Sequence, residues 1–507
     1  MNTTLMTTNP RTGERHDTGI EPSSDAAVDA IVAKARAASP AFANRGREWR
    51  AELLHALAAS LETHRDRLIA IAQSETGLES ARLNGELTRS CFQLRLFADA
   101  LRDGGYLEAA IDHAGDTPLG PQPDVRRLLI PVGPVAVFGS SNFPFAFSVP
   151  GGDTASALAA GNPVVVKAHS AHPLTSRACF EALLEGARHC NAPEGTLGIV
   201  FGQAAGTALV SHPAMAAVGF TGSLSAAEHL RAAIERRARP IPFYAELQSV
   251  NPLIISADAL SMRSRDIAEG LAASVTASGG QLCTKPGIAF VPSGDLVEAF
   301  ADQVAAAVSE ANPGVLLNDR VLAGFRVAEN KLELAPGVRS IAGGEIINDH
   351  GGYRVNARIL RARAADLTAN HTIEAFGPLV LLVDYDDDAQ LRAALSVVPD
   401  SLTTTLHIED GDEAWAAELL PALAESCGRV ILNGFPTVVR VSWAQHHGGP
   451  WPSTNSLHTS VGVTAIRRFL RPFAWQNSPE SLLPMQLRDG YRNIPRRVDG
   501  HLVLADD

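Results

Sequence analysis

From residue 125 onward, short apolar runs bounded by Pro and Gly alternate with Ala- and Leu-rich runs of helical period. VRRLLIPVGPVAVFGS (125–140) reads as buried strand, GGDTASALAAG as helix, NPVVVKAH as strand, SRACFEALLEGARHC as helix and TLGIVFG as strand. The helix-like GTALVSH, the strand AAVGFTG and a helix beginning near Ser225 follow. Such alternation predicts a parallel sheet with helices on both faces. A second α/β region spans about 250–455, with strands expected at PLIIS, GIAFVP, LVLLVDY, TTTLHI and RVILNG and a helix at DLVEAFADQVAAAVSE. Ahead of both, residues 24–115 read as helical, because apolar residues recur every three or four positions.

A chain of 507 residues is too long for one core and fits two or three domains. The formal net charge of -12 argues against a general nucleic-acid binder, which needs a cationic field. No stretch approaches the roughly 18 consecutive apolar residues of a membrane span. The polar start, Met1 to Asp17, has no signal-peptide core. Five scattered cysteines without a CxxC pair fit neither a disulfide scaffold nor a structural zinc site. A cytoplasmic protein without nucleic-acid or membrane partners is expected.

Several residues stand in contexts that could carry chemistry. Cys283 lies in ASGGQLCTKPG (277–287), where Gly279, Gly280 and Gly287 let the backbone turn tightly and approach a ligand. A free Cys is ordinarily a small buried hydrophobe, and Cys91, Cys179, Cys190 and Cys427 read that way. Lys167 ends the strand of NPVVVKAH, at the sheet edge where α/β proteins bind ligands, or is a solvated strand-end lysine. Thr221, Gly222 and Ser223 open a helix whose free amides could hold a pyrophosphate. Glu246, in the apolar company of PFYAELQ, is either a base with a raised pKa or a paired structural acid. Asn142 in SSNFPFAFS also reads as a turn-former, and Glu374 in TIEAFGP as a loop acid. His446 and His447 are adjacent, so on a strand they would face opposite ways, and no clustered metal-ligand set is visible.

The order decides among these readings. Asn142, Lys167, the Thr-Gly-Ser turn, Glu246, Cys283 and Glu374-Ala-Phe376-Gly377-Pro378 follow one another as in the aldehyde dehydrogenase superfamily, which the chain resembles from its helical start to the FLRP and LLP segments. Within it the chain is most similar to the α-ketoglutaric semialdehyde (2,5-dioxovalerate) dehydrogenases and related NADP-dependent aldehyde dehydrogenases. The residues carrying this are PVGPVAVFGSSNFPFAFSVPGGDTASALAAGNPVVVKAHSAHP, GGQLCTKPG and HHGGPWPST (446–454). Ala227, Trp451 and Arg440 depart from the pattern: a glycine, a tyrosine and a small or acidic residue are usual there.

The resemblance implies an α/β fold with a Rossmann-like cofactor domain (1–121 and 139–249), a catalytic α/β domain (250–456) and a small β oligomerisation element (122–138 and 475–500). It implies a homodimer or homotetramer, with an aldehyde as the substrate and no metal. Cys283 would attack the aldehyde, the Asn142 amide and the Cys283 N–H would hold the oxyanion, and Glu246 would activate water to hydrolyse the thioester. Those relatives that pass the thioester to another acceptor usually lack this Glu. Lys167 and Ser170 would face the adenosine ribose, Gly222 and Ser223 the pyrophosphate, and Glu374 and Phe376 the nicotinamide side. An acid commonly stands at the position of Ser170 in NAD-preferring relatives, so NADP is favoured over NAD as cofactor. NGFPTVVRVSWAQHHGGP (433–450) matches a substrate-entry loop in which Arg440 could hold a distal carboxylate and Val441 and Trp443 could line a tunnel. Phe143, Phe145 and Phe147 would make the other wall apolar, leaving medium-chain or aromatic aldehydes as the alternative substrate.

Overall fold

The computed structural model describes residues 4–343 and 351–506. The amino-terminal part forms four helices, Asp25–Ala43, Arg47–Thr63, Arg65–Thr76 and Ser80–Asp103. The Ser24 side chain accepts the amide of Ala27 and caps the first, while left-handed Gly77 and Gly104 end the third and fourth. Leu53, Leu57 and Leu61 of the second helix join Leu83, Leu87 and Leu94 of the fourth in one core. The helical run expected as far as 115 stops at Asp103. Past the Gly104-Gly105 break, Ala110–Asp112 is a strand paired antiparallel with the residues around Arg126. Local period says nothing of such a pairing, because its partner lies elsewhere in the chain.

These helices cover a five-stranded parallel sheet in the order Phe243–Glu246, Ala217–Thr221, Val135–Phe138, Val164–Lys167, Leu197–Val200. The first strand in sequence, Val135–Phe138, is central and pairs with both Val164–Lys167 and Ala217–Thr221. The chain first builds outward on one side and then crosses to the other. A crevice opens at the carboxyl ends of strands where the winding reverses, the usual ligand position in doubly wound sheets.

The second sheet has seven strands, in the order Arg339–Ala342, Arg358–Arg363, Leu379–Tyr385, Ile288–Pro292, Pro252–Ile255, Thr404–His407, Val430–Leu432. Only the outer Arg339–Ala342 strand is antiparallel to its neighbour. Leu379–Tyr385 matches the expected apolar run, its residues almost all buried.

A third, five-stranded sheet runs Leu470–Gln476, Val125–Pro131, Ala110–Asp112, Arg496–Val498, His501–Val503. The segment 122–138 therefore does not act as one piece. Val125–Pro131 belongs to this small sheet, while Val135–Phe138, beyond the left-handed turn at Gly133, is the centre of the first sheet. The carboxyl-terminal contribution likewise begins at Leu470 rather than 475. Among the described residues no helix is long and apolar enough to cross a membrane.

Candidate active site

The carboxyl ends of the first sheet open on a cleft of about 1200 Å³. Lys167 and Ser170 come from one strand end, and Gly222 and Ser223 from the strand across the crossover. Glu374 and Phe376 line it from the second sheet's side, and Asn142, Phe143, Glu246 and Cys283 lie at its inner end. The residues singled out from the sequence for chemistry and for the cofactor thus meet in one cavity. Ser223 caps the helix Leu224–Glu235 by accepting the amide of Ala226. Ser140 Oγ, on the cleft wall, is buried and has no hydrogen-bond partner among the described residues. Burial, with the charge of Arg320 across the cleft, brings Lys167 down to about 8. A long crevice at a winding reversal, with a helix start, a lysine and an unsatisfied hydroxyl, fits a nicotinamide dinucleotide.

The cysteine loop owes its shape to three consecutive residues with positive φ, Ser278, Gly279 and Gly280. A Cβ on Gly280 would lie only 2.2 Å from the carbonyl carbon of Gly377, so glycine is needed both for conformation and for contact. This approach presses the cysteine loop against the segment carrying Glu374 and Phe376. Asn251 Nδ2 then holds the carbonyls of Cys283 (2.8 Å) and Lys285 (3.0 Å). Arg82 ties the loop to Asn142, with Nε donating to Ser278 Oγ (2.7 Å) and Nη2 to the Asn142 carbonyl (2.9 Å). Asn142 Nδ2 donates to Gln281 O at 2.8 Å. That bond fixes the amide and leaves its second hydrogen for an oxyanion.

Glu246 ends the outer strand of the first sheet, opposite Thr221 in register. His447 Nε2 is 2.8 Å from Glu246 Oε1 and 3.6 Å from Cys283 Sγ. Ser460 Oγ donates to the other carboxylate oxygen at 2.5 Å. This corrects two expectations. Burial alone would raise the Glu246 pKa, but His447, Ser460 and the thiol together outweigh it, and the carboxyl titrates below its ordinary value. Burial and the Glu246 charge meanwhile push the Cys283 thiol well above its usual range. The resting pair is a neutral thiol beside an ionised carboxylate, with an imidazole in reach of both. The second correction concerns ligands. Glu246, Cys283 and His447 form the one group among the described residues that could hold a metal ion, their ligand atoms all within 4.8 Å. His447 and Cys283 stand 164 positions apart, so spacing could not reveal the cluster. Ser460 and Asn251 were missed for the same reason. A lone cysteine with a distant histidine was the available signal.

The substrate-side residues divide. Phe143 and Phe147 pack edge to face with centroids 5.2 Å apart, and both line the cleft. Phe145 points the other way and is fully buried in the core. Val441 is buried, Trp443 half exposed and Arg440 exposed, and none of the three lines the cleft. Trp451 is also half exposed, with Arg231 over its ring at 5.9 Å.

The profile described as "Aldehyde dehydrogenase family" matches residues 2–471. The chain belongs to the aldehyde dehydrogenase family. Two curated members are similar over nearly the whole chain. "Alpha-ketoglutaric semialdehyde dehydrogenase 2" of Azospirillum brasilense is 42% identical, covering 98% of this chain and 96% of its own. "Alpha-ketoglutaric semialdehyde dehydrogenase" of Acinetobacter baylyi is 40% identical, covering 95% and 93%. Among solved structures, that of PnpE in complex with nicotinamide adenine dinucleotide superposes with a TM-score of 0.79 at 24% identity, covering 93% and 94% of the two chains. The architecture is thus the aldehyde dehydrogenase fold. Ala227, a departure from the family's usual glycine, is buried on the inner side of its helix and off the cleft wall, so its methyl group does not narrow the cleft.

Proposed function

We propose that this aldehyde dehydrogenase oxidises an acidic semialdehyde, α-ketoglutaric semialdehyde, to the dicarboxylic acid through a thioester on Cys283, with NADP as the favoured cofactor. The observation that carries the reaction is the buried Cys283–His447–Glu246 group. Two relatives at 42% and 40% identity, whose names give that substrate, support the choice of aldehyde.

The thiol must lose its proton before it can attack. His447 Nε2 stands 2.8 Å from the ionised Glu246 carboxylate and donates its hydrogen there. The acceptor of the thiol proton is therefore Glu246, which His447 orients and which passes the proton to solvent before the hydrolytic step. The new S–C bond turns the carbonyl oxygen into an oxyanion, which takes hydrogen bonds from the free Asn142 amide hydrogen and the Cys283 N–H. A bound nicotinamide supplies the hydride acceptor. The thioester that remains is cleaved by water, whose proton goes to Glu246 as the S–C bond breaks and the thiolate is restored. Glu246 thus serves both half-reactions, and His447 holds it in place.

His447→Gln removes the imidazole but keeps an amide N–H that can donate to Glu246. Both half-reactions should slow by a similar factor, about tenfold, as the carboxylate loses its fixed orientation. Stopped-flow burst and steady rates between pH 6.5 and 9.5 read this directly. Loss of the burst alone would make His447 the base for the thiol.

For the cofactor, Ser170 offers no negative charge to repel a 2′-phosphate, and Lys167 and Arg320 both face the cleft. Lys167 is charged below about pH 8 and neutral above it, so any NADP advantage should decline through that pH. We also propose a homodimer or homotetramer built on the small third sheet, whose outer strand Leu470–Gln476 exposes Phe473. The aromatic pair Phe143–Phe147 favours a second reading, in which the substrate is an apolar medium-chain or aromatic aldehyde.

Measuring kcat/KM for about a dozen aldehydes with both cofactors separates these readings. Expected is a preference of at least about tenfold for the acidic semialdehyde over uncharged aldehydes of equal length. NADP should serve at least as well as NAD. Faster turnover of uncharged aldehydes would favour the second reading, and a hundredfold preference for NAD would contradict the reading of Ser170.

A further inference from the structure

Arg440 is exposed and stands away from the cleft, so a carboxylate anchored near the thiol needs another cation. The helix Ser80–Asp103 carries one. The guanidinium of Arg89 lies over the ring of Phe147 at 5.1 Å from its centroid. Phe147 in turn packs on His447 with centroids 6.2 Å apart, and His447 reaches Cys283 Sγ at 3.6 Å. One aromatic ring therefore separates Arg89 from that histidine.

Arg89 Nε and Nη2 are buried and have no hydrogen-bond partner among the described residues. A buried guanidinium is ordinarily matched by an acid, because an unmatched one loses its hydration without compensation. The acid one turn earlier, Glu86, is engaged elsewhere. Its Oε1 accepts the amides of Phe145 (2.7 Å) and Ala146 (2.9 Å), and Oε2 pairs with Arg82. Nothing on the helix supplies the anion that Arg89 lacks. Burial pulls Arg89 down from its usual range, while the charges of Glu86 and Glu246, and of Cys283 once ionised, act to pull it back up. Arg89, itself half-buried, thus places a cation one ring away from His447, outside the residues that line the cofactor cleft.

We propose that Arg89 binds the distal carboxylate of an acidic semialdehyde, with the Phe147 ring as the floor along which the substrate's carbon chain lies between that carboxylate and the Cys283 thiol. This rests on the acidic substrate proposed above and assigns the residue that selects it. Guanidinium fits the task because two parallel N–H donors can meet both carboxylate oxygens. An aromatic face beneath the cation holds the fork in place without consuming those donors.

The test compares wild type, Arg89→Met and Arg89→Lys, each as the full-length enzyme with saturating cofactor. Substrates are α-ketoglutaric semialdehyde and pentanal, which has the same chain length and no carboxylate. Thermal midpoints are recorded alongside. In Arg89→Met the ratio of kcat/KM for the acidic over the uncharged aldehyde should fall by about 10- to 100-fold, mainly through KM. Arg89→Lys should recover part of it, having a charge but no fork. The thermal midpoint of Arg89→Met should not fall, since an unmatched buried charge is removed. An unchanged ratio, or a loss shared equally by both aldehydes, would overturn the assignment. So would a lower midpoint with the ratio intact, the mark of a structural arginine. Failure of the underlying substrate reading looks different: the wild type itself would show no preference for the acidic aldehyde.

Discussion

Cys283→Ala should lose aldehyde oxidation by a factor on the order of 10⁴ or more, while folding and binding nicotinamide cofactor as the wild type does. Removing the sulfur removes the covalent step, and no second nucleophile stands in the group formed with Glu246 and His447. The other cysteines cannot substitute. Cys91, Cys179 and Cys427 are buried elsewhere, and burial pushes the thiols of Cys91 and Cys179 upward, to about 12 for Cys91. The fold should survive because the loop is held by Asn251 through backbone carbonyls and by the Gly280 contact, neither of which uses the thiol. Turnover together with cofactor fluorescence quenching checks both halves. Substantial turnover in this variant would remove Cys283 from the mechanism.

Glu246→Gln should separate the two half-reactions. The negative charge that pushes the Cys283 thiol upward is gone in this variant, so the thiol ionises to solvent more readily and acylation suffers less than hydrolysis. Water activation loses its base. The expected trace is a burst of reduced cofactor close to one per active site, then a steady rate about 100- to 1000-fold below wild type. Glutamine is the right replacement because it keeps the contacts to Ser460 and His447. Stripping one partner from a buried charged pair costs about 3–5 kcal/mol and would confuse a catalytic loss with a folding loss. Equal loss of burst and steady rate would mean that thiol ionisation needs the Glu246 carboxylate as much as hydrolysis does. His447→Gln should instead slow the burst and the steady rate by similar factors.

Most strands of the two large sheets were legible because they are short apolar runs closed by Gly, Pro or a polar residue. Leu379–Tyr385 and Val164–Lys167 are examples. Arg339–Ala342 and Arg358–Arg363, where arginines break the apolar run, were not. Nor was the outer strand Phe243–Glu246, since FYAE has no apolar run and is a strand only because Ala217–Thr221 offers it a hydrogen-bonding edge. The candidate nucleophile, oxyanion amide and cofactor residues could be read from their order along the chain, and folding brings them to one cleft. His447 could not be read this way. Its neighbour in sequence is another histidine, and its role depends on a loop returning over the first sheet's edge, where Ser460 and Glu246 await it. The direction of the Glu246 pKa was misjudged for a related reason. Composition shows the apolar residues around a carboxylate, but not the imidazole and hydroxyl that reach it from two hundred positions away.

The central claim is that aldehyde carbon becomes bonded to the Cys283 sulfur and leaves it with the help of Glu246. Intact-mass spectrometry of Glu246→Gln, acid-quenched within the burst after mixing with aldehyde and oxidised cofactor, tests it most directly. The account predicts a species heavier than the protein by the acyl group less one hydrogen, mapping by peptide fragmentation to Cys283 and absent when oxidised cofactor is omitted. An unmodified mass at the height of the burst, or an adduct on any other residue, would contradict it.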